Sequence, residues 1–266
     1  MSNFSNIGFH ITSEQELYKL AENIYGIGKI EEAHHGKYIV YSDSSGAELW
    51  MQVDKNNSLI GMNPHYNGYS KRLVCLTKII QRPDSILDGA FHCWSNPIEI
   101  NNPDSGEYPF VFDLPNAKTI GEIKFPYNFE IQLSAFAQKI TLYSSEDEFN
   151  SKQTSDVKFA TQSFIPMGLF KPEGESTEPP EALGMFTGII KEFDIKVNSF
   201  TRNHFYWFLV NTLGGEIDIV ADPILIIDKP KLNGVIQGQF WLSGKLYYQP
   251  YITKENNKGF FKKLFS

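Results

Sequence analysis

Cysteine is scarce in this sequence, which has only Cys75 and Cys93 among 266 residues. Two distant thiols cannot build the multi-bridge framework of a small secreted domain, and they lack the close CxxC spacing of a structural zinc site. The first residues lack the charged and apolar regions of a signal peptide. No uncharged apolar run approaches the ~18 residues of a membrane span. We therefore expect a reduced, cytoplasmic protein without a transmembrane segment.

Positively charged residues are fewer than negatively charged ones. Lysine and arginine number 24 against 31 aspartate and glutamate residues, so the net charge is -7 at pH 7. Nucleic-acid-binding proteins depend on clustered Lys and Arg, whose phosphate contacts release counterions. In residues 183–251 basic and acidic residues nearly balance. The charge balance disfavours a nucleic-acid partner.

The common catalytic motifs are missing as well. The sequence has no GxSxG elbow, no P-loop, no GxGxxG dinucleotide loop after a first strand and no HExxH zinc motif. Cys93 directly follows His92, but neighbours in a strand point to opposite faces, which favours a buried thiol over a nucleophile. No motif identifies an enzyme.

The patterns that are present predict many short β-strands. Residues 7–11 (IGFHI) predict a strand, and Thr12 or Ser13 can then cap an amphipathic helix that ends near Gly26 or Gly28. Three alternating runs follow, KYIVYSD, AELWMQVD and SLIGMNPHY, separated by turn residues. This part of the chain predicts one strand, one helix and three more strands.

That order over residues 7–66, with the phrase GKYIVYSDSSGAELWMQVD, resembles one module of the glyoxalase and vicinal-oxygen-chelate superfamily. The resemblance implies a glyoxalase-like α+β region over residues 1–115. It also implies a divalent metal bound near the first strand. The candidate ligands are His10, Glu48, His65 and His92, with Glu107 as an alternative acid. The alternative is that each imidazole is a core, turn or exposed residue.

The middle of the chain continues in strands. Residues 116–170 are β-rich, and the run QLSAFAQKITLY within them fits either a buried strand or a short helix. Residues 171–182 (KPEGESTEPPEA) are rich in Pro, Glu, Ser and Thr and lack a large apolar side chain. This composition predicts a linker.

Residues 183–251 give the clearest architectural pattern. Five predicted strands carry glycines where a small barrel must bend, which resembles an OB-fold. Alternation along HFYWFLVN puts three aromatic or imidazole side chains on one face and three large apolar ones on the other. The outward face either binds a partner or is covered by the N-terminal region or a second copy. The predicted binding residues are His204, Tyr206, Trp207, Phe208 and Trp241.

The C-terminal tail, residues 252–266, ends in FFKKLF. Phe260 to Phe265 form either a frayed terminus or a docking peptide for a partner protein or a membrane surface.

Phrases such as ELWMQVD, SFIPMGLF, TLGGEIDIVADP and GQFWLSG make the whole chain resemble bacterial proteins of unknown function. We expect an α+β, mostly β protein, with a βαβββ-like module, an extended β region and a small OB-like barrel. The leading hypothesis is a non-enzymatic binding protein that contacts a protein partner, or itself, through the barrel. One alternative is a metal-dependent enzyme of the glyoxalase type, and a second is a single-strand nucleic-acid-binding protein.

Overall fold

The structure is a computed structural model that describes residues 2–83, 85–154, 156, 158–169 and 178–247. Most of residues 171–182, the predicted linker, and all of the tail with Phe260 to Phe265 lie outside the described residues. Within the described part the fold is mostly β, with two α-helices and 13 strands in two sheets. Neither of these helices has the length and apolar character needed to cross a lipid bilayer.

The N-terminal region builds the smaller sheet. Helix α1 (Glu14–Ile27) begins as predicted, since the Ser13 hydroxyl accepts a hydrogen bond from the backbone N–H of Glu16 at 3.3 Å. The Glu16 carboxylate accepts the Thr12 N–H in return, at 2.8 Å. Four antiparallel strands follow in the order β1-β2-β3-β4. Their bounds are β1 (Lys29–Ala33), β2 (Gly36–Ser42), β3 (Ala47–Asp54) and β4 (Leu59–Tyr66).

The strand predicted at residues 7–11 is wrong. The chain instead forms a 3-10 helix (Asn3–Ile7), followed by Gly8 at φ 86°. Side chains from a distant loop bond the backbone here, because Asn198 donates to the Ile7 carbonyl and Asn203 donates to the Gly8 carbonyl, each at 2.9 Å. These side chains take the carbonyls that a sheet ladder would use. The region is therefore one helix followed by four strands, not a βαβββ module.

The larger sheet has nine mixed strands and takes its residues from most of the chain. Helix α2 (Glu146–Lys152) lies beside it, after the longest strand. The strands are β5 (Arg72–Gln81), β6 (Gly89–Ser95), β7 (Pro109–Asp113), β8 (Tyr127–Tyr143), β9 (Ser163–Pro166), β10 (Leu183–Val197), β11 (His204–Thr212), β12 (Gly215–Ala221) and β13 (Val235–Tyr247). The ambiguous run QLSAFAQKITLY is thus part of strand β8.

The nine-stranded sheet closes on itself. Its order is β11-β12-β8-β5-β6-β7-β13-β10-β9, and β10 also pairs with β11 while β8 also pairs with β13. Strands β8, β13, β10, β11 and β12 therefore form a closed cycle of five pairings, of which only β8 with β12 is parallel. Residues 183–247 supply four of these strands rather than the predicted five. The fifth, β8, comes from far upstream.

Both faces of strand β11 are buried at its centre. Phe208 and Val210 point into the main core of the nine-stranded sheet. Phe205 and Trp207 point the other way, into a second core shared with α1 and β3, where Phe9 is one of their neighbours. This second core fastens the smaller sheet to the larger one.

Candidate functional site

A seam of polar side chains lies where strands β3 and β4 of the small sheet approach strand β13 of the large sheet. Along β3, Leu49, Met51 and Val53 belong to the core on the α1 side. The alternating residues Glu48 and Gln52 point to the opposite face and bond partners outside the small sheet. The seam thus carries hydrogen-bonding groups where two sheets would ordinarily share apolar ones.

One end of the seam is an ion pair. Lys245 Nζ on β13 donates to Glu48 Oε2 on β3 at 2.6 Å, and the Glu48 side chain is 6% exposed. Trp50 Nε1 donates to the same oxygen at 2.8 Å. Its ring also lies under the ammonium group, 4.9 Å from Lys245 Nζ. The buried carboxylate therefore has a charged and a neutral donor.

His65 occupies the middle of the seam and is fully buried. Its Nδ1 lies 2.8 Å from Ser243 Oγ, whereas its Nε2 has no hydrogen-bond partner among the described residues. Burial holds the pKa of His65 well below its ordinary value, the charge of Lys245 lowers it further, and a contact with Gln132 partly opposes both. The imidazole is neutral in the folded protein.

Asp88 marks the other end of the seam. It lies in the connection between β5 and β6, and its Oδ1 accepts a hydrogen bond from Asn63 Nδ2 at 2.7 Å. Gln52 Nε2 donates to the same oxygen. Gln52 is itself held by Ser85, whose hydroxyl donates to Gln52 Oε1 at 2.6 Å. Two amides from the small sheet thus fix one carboxylate of the large one.

Asp113, the last residue of β7, is the second carboxylate at this end. Its Oδ1 accepts from Arg82 Nε at 2.8 Å and from Arg82 Nη2 at 2.6 Å, and its Oδ2 accepts from Trp241 Nε1 at 2.7 Å. Burial raises the pKa of Asp113, against the opposing effect of the Arg82 charge. The third nitrogen of the guanidinium, Nη1, donates to the Pro180 carbonyl at 2.7 Å. Both oxygens of Asp113 are therefore bonded within the protein, and each nitrogen of the Arg82 guanidinium donates one hydrogen bond.

A groove of about 500 Å³ opens at this end of the seam. Its walls come from both sheets and from the N-terminal 3-10 helix, and they combine charged, amide and aromatic groups. The lining residues are Ser2, Asn3, Phe4, Met62, Asn63, Pro64, Arg82, Asp88, Gly89, Asp113, Leu114, Gln138 and Trp241. Polar groups held by neighbours on one concave surface are typical of a small-molecule site.

Among the predicted binding residues, Trp241 lines this groove. Trp207 and Phe208 are buried, with 4% and 0% exposure, and Trp207 Nε1 donates to buried Asp218 at 2.8 Å. Tyr206 is half-buried and His204 is exposed. The face predicted to contact a partner therefore presents only His204 and part of Tyr206 to solvent.

The four candidate metal ligands do not meet at one place. Glu48 and His65 are register partners on β3 and β4. His10 Nε2 lies 3.9 Å from Asp222, and His92 Nδ1 lies 2.6 Å from the Thr77 hydroxyl. In the part of the chain that the structure describes, no three His, Cys, Asp or Glu side chains come close enough to hold a metal ion. The first strand, on which the glyoxalase resemblance placed His10, is also absent.

Sequence reasoning missed the groove, although the positions of three charged residues next to strand ends could have indicated it. Arg82 directly follows β5, Asp88 directly precedes β6 and Asp113 ends β7. In an antiparallel meander these three positions meet at one edge of the sheet. Recognising residues 72–113 as a meander would have brought the three charges together. No sequence pattern indicates which residues of β3, β4 and β13 meet in the seam.

No family model matches this chain, and no curated protein or solved structure matches it. Its function must therefore be argued from the groove itself.

Proposed function

We propose that this chain is a non-enzymatic binding protein that holds a small polar ligand in the groove between its two sheets. The observation that carries the proposal is the fixed geometry of the groove walls. Asp88 is oriented by two amides, and Asp113 is oriented by Arg82 and Trp241. Groups that are fixed before binding lose little conformational entropy when a ligand arrives.

Binding fits these groups better than catalysis does. Both oxygens of Asp113 are occupied by donors of the protein, so this carboxylate is poorly placed to take or give a proton. Ser243 and His65 form a hydroxyl–imidazole contact, but both are buried beyond the reach of a substrate. Burial raises the pKa of Cys93 well above its ordinary value, which keeps this thiol protonated.

The OB-like interpretation of residues 183–251 belongs to the same proposal. Strands β10 to β13 and β8 make a cycle of five strands, the strand number of an OB-fold. Trp241 lies on β13 of this cycle and faces the groove. The proposal therefore keeps a five-stranded unit as the binding element, and of the predicted binding residues it keeps Trp241 on β13 rather than those on β11.

A groove-filling substitution tests the proposal. Gln138 is exposed and lines the groove, whereas its neighbour Lys139 is exposed and does not. Wild type, Gln138→Trp and Lys139→Trp would be screened by NMR against amines, polyols, amino acids and carboxylates. We expect ligands that bind wild type and Lys139→Trp but bind Gln138→Trp at least about tenfold more weakly, a loss of ~1.4 kcal/mol. The proposal fails if no compound binds wild type, or if every bound compound tolerates Gln138→Trp.

A second candidate, self-association, is favoured by a different observation. Ile195 and Val197 on β10 are 51% and 44% exposed, and their register partners on β11 are Tyr206 and His204. Directly opposed residues of an antiparallel pair share one face, so these four side chains form a partly apolar surface. Light scattering after gel filtration would detect a dimer that Ile195→Asp dissociates. A monomer at all concentrations would exclude this candidate.

A further inference from the structure

We infer that the ligand of the groove carries a positively charged amine or guanidinium group that pairs with Asp88. This inference rests on the proposed function of the groove and names the class of ligand that it takes.

The charges of the groove walls leave Asp88 uncompensated. Arg82 and Asp113 cancel each other in a contact of 2.6 Å, with side chains only 14% and 21% exposed. No ion pair involves Asp88 in the described ranges of the chain. Burial lowers the pKa of Lys118 and the charge of Asp88 opposes this effect, so Lys118 is near Asp88, but it is not one of the residues that line the groove. The groove walls therefore carry one net negative charge.

The hydrogen bonds of Asp88 point to the same class of ligand. Both amide donors, from Asn63 and Gln52, bond its Oδ1, and no contact to Oδ2 is seen among the described residues. The carboxylate is thus fixed through one oxygen and keeps the other for a donor. Because Asp88 is half-buried, an ion pair here is screened less than one on the open surface.

The groove offers an anionic ligand no unpaired positive charge. Arg82 is the cation in the groove wall, and its Nε, Nη1 and Nη2 already donate to Asp113 and to the Pro180 carbonyl. A carboxylate or phosphate would find only the second N–H of Nη1 and of Nη2 left on Arg82, and it would approach the charges of Asp88 and Asp113. The whole chain, at a net charge of -7, adds no attraction for an anion.

The remaining walls suit the carbon skeleton of an amine. The rings of Phe4 and Trp241 and the thioether of Met62 line the same groove. Alkyl stems pack on such surfaces, and an aromatic face attracts an ammonium group. The groove thus combines one anion for the charged end of a ligand with apolar surface for its stem.

Three four-carbon probes with cationic, neutral and anionic end groups test the inference: 1,4-diaminobutane, 1,4-butanediol and succinate. In NMR titrations we expect wild type to bind the diamine most tightly. Asp88→Asn should bind it about tenfold more weakly, because a charge-assisted hydrogen bond is lost. Asp104→Asn, which changes an exposed acid outside the groove, should bind like wild type. A diamine that binds no better than the diol and succinate overturns the inference.

A second variant guards against a folding defect in Asp88→Asn. Gln138→Glu adds a negative charge to the exposed groove wall without touching the seam, and we expect it to bind the diamine several-fold more tightly. Unchanged or weaker binding contradicts the inference. If Gln138→Trp still blocks the diol or succinate while the diamine shows no preference, the groove remains the binding site and only the charge assignment fails.

Discussion

Lys245 Nζ lies 2.6 Å from Glu48 Oε2, and this contact joins the two sheets of the molecule. Removing the cation leaves a carboxylate that is only 6% exposed without its charged partner. We expect Lys245→Met to lower the free energy of unfolding by about 3 kcal/mol, measured by urea denaturation. The double variant Glu48→Gln with Lys245→Met should recover part of this loss. A loss no larger than that of the exposed control Lys152→Met would contradict the prediction.

His65 should make the stability of the protein depend on pH. Burial holds its pKa well below the ordinary value, so the unfolded chain binds a proton near pH ~6.5 that the folded protein does not. Stability is full above about pH 6.5 and falls below it, by up to ~1.4 kcal/mol per pH unit, until the folded pKa is reached. Urea midpoints between about pH 7.5 and 5.5 should show this fall, and His65→Gln should flatten it. Burial also lowers the pKa of His92, so His92→Gln measures that separate contribution.

Arg72 is a guanidinium that is 2% exposed and has no carboxylate partner among the described residues. It donates to Tyr108 Oη at 3.0 Å and to two backbone carbonyls of the β11–β12 turn, and it lies 5.9 Å from the ring centres of Phe110 and Phe164. Arg72→Met keeps an apolar side chain beside these rings but removes all three hydrogen bonds that the guanidinium donates. We expect a loss of about 3 kcal/mol in urea denaturation. Arg72→Lys should not restore the lost stability, because one ammonium group cannot replace the several N–H donors of a planar guanidinium.

Alanine substitutions at Trp207 and Tyr206 should lower the stability of the protein by different amounts, because the two side chains lie on opposite faces of β11. Trp207→Ala removes a ring that is 4% exposed together with its hydrogen bond to Asp218, so we expect a loss of about 4 kcal/mol in urea denaturation. Tyr206 is half-buried, and Tyr206→Ala should cost about 1 to 2 kcal/mol. Equal losses would show that the two faces of β11 are equally buried in solution.

Local signals made most of the first third of the chain predictable, but strand β1 was not predicted and the strand predicted at residues 7–11 is absent. The cap at Ser13 and the alternating runs of β2, β3 and β4 depend on residues close in sequence, and the structure confirms them. Residues 7–11 show the same kind of apolar run as a strand. Their carbonyls are taken by Asn198 and Asn203, a contact that no local pattern reveals.

The candidate site escaped prediction because its residues meet only through long-range pairing. Asp113 reaches Trp241 because β7 and β13 touch at a single register pair, Ser243 with Asp113. Asp88 reaches Asn63 only after the two sheets have packed together. Hydrophobic periodicity predicts which face of a strand is buried, but not which polar groups lie opposite each other.

Two glycines should respond to alanine in opposite directions. A Cβ on Gly68 would overlap the carboxylate of Asp218, which accepts the backbone N–H groups of Tyr69 and Ser70 at 3.1 and 2.8 Å. We expect Gly68→Ala to cost about 2 kcal/mol, because the carboxylate must leave its donors. Gly26 lies exposed in α1 with open space around it, so Gly26→Ala should stabilise the protein by about 0.5 to 1 kcal/mol. Thermal and urea denaturation of both variants measure the two changes, and a tolerated Gly68→Ala would mean that the Asp218 cluster can shift without loss.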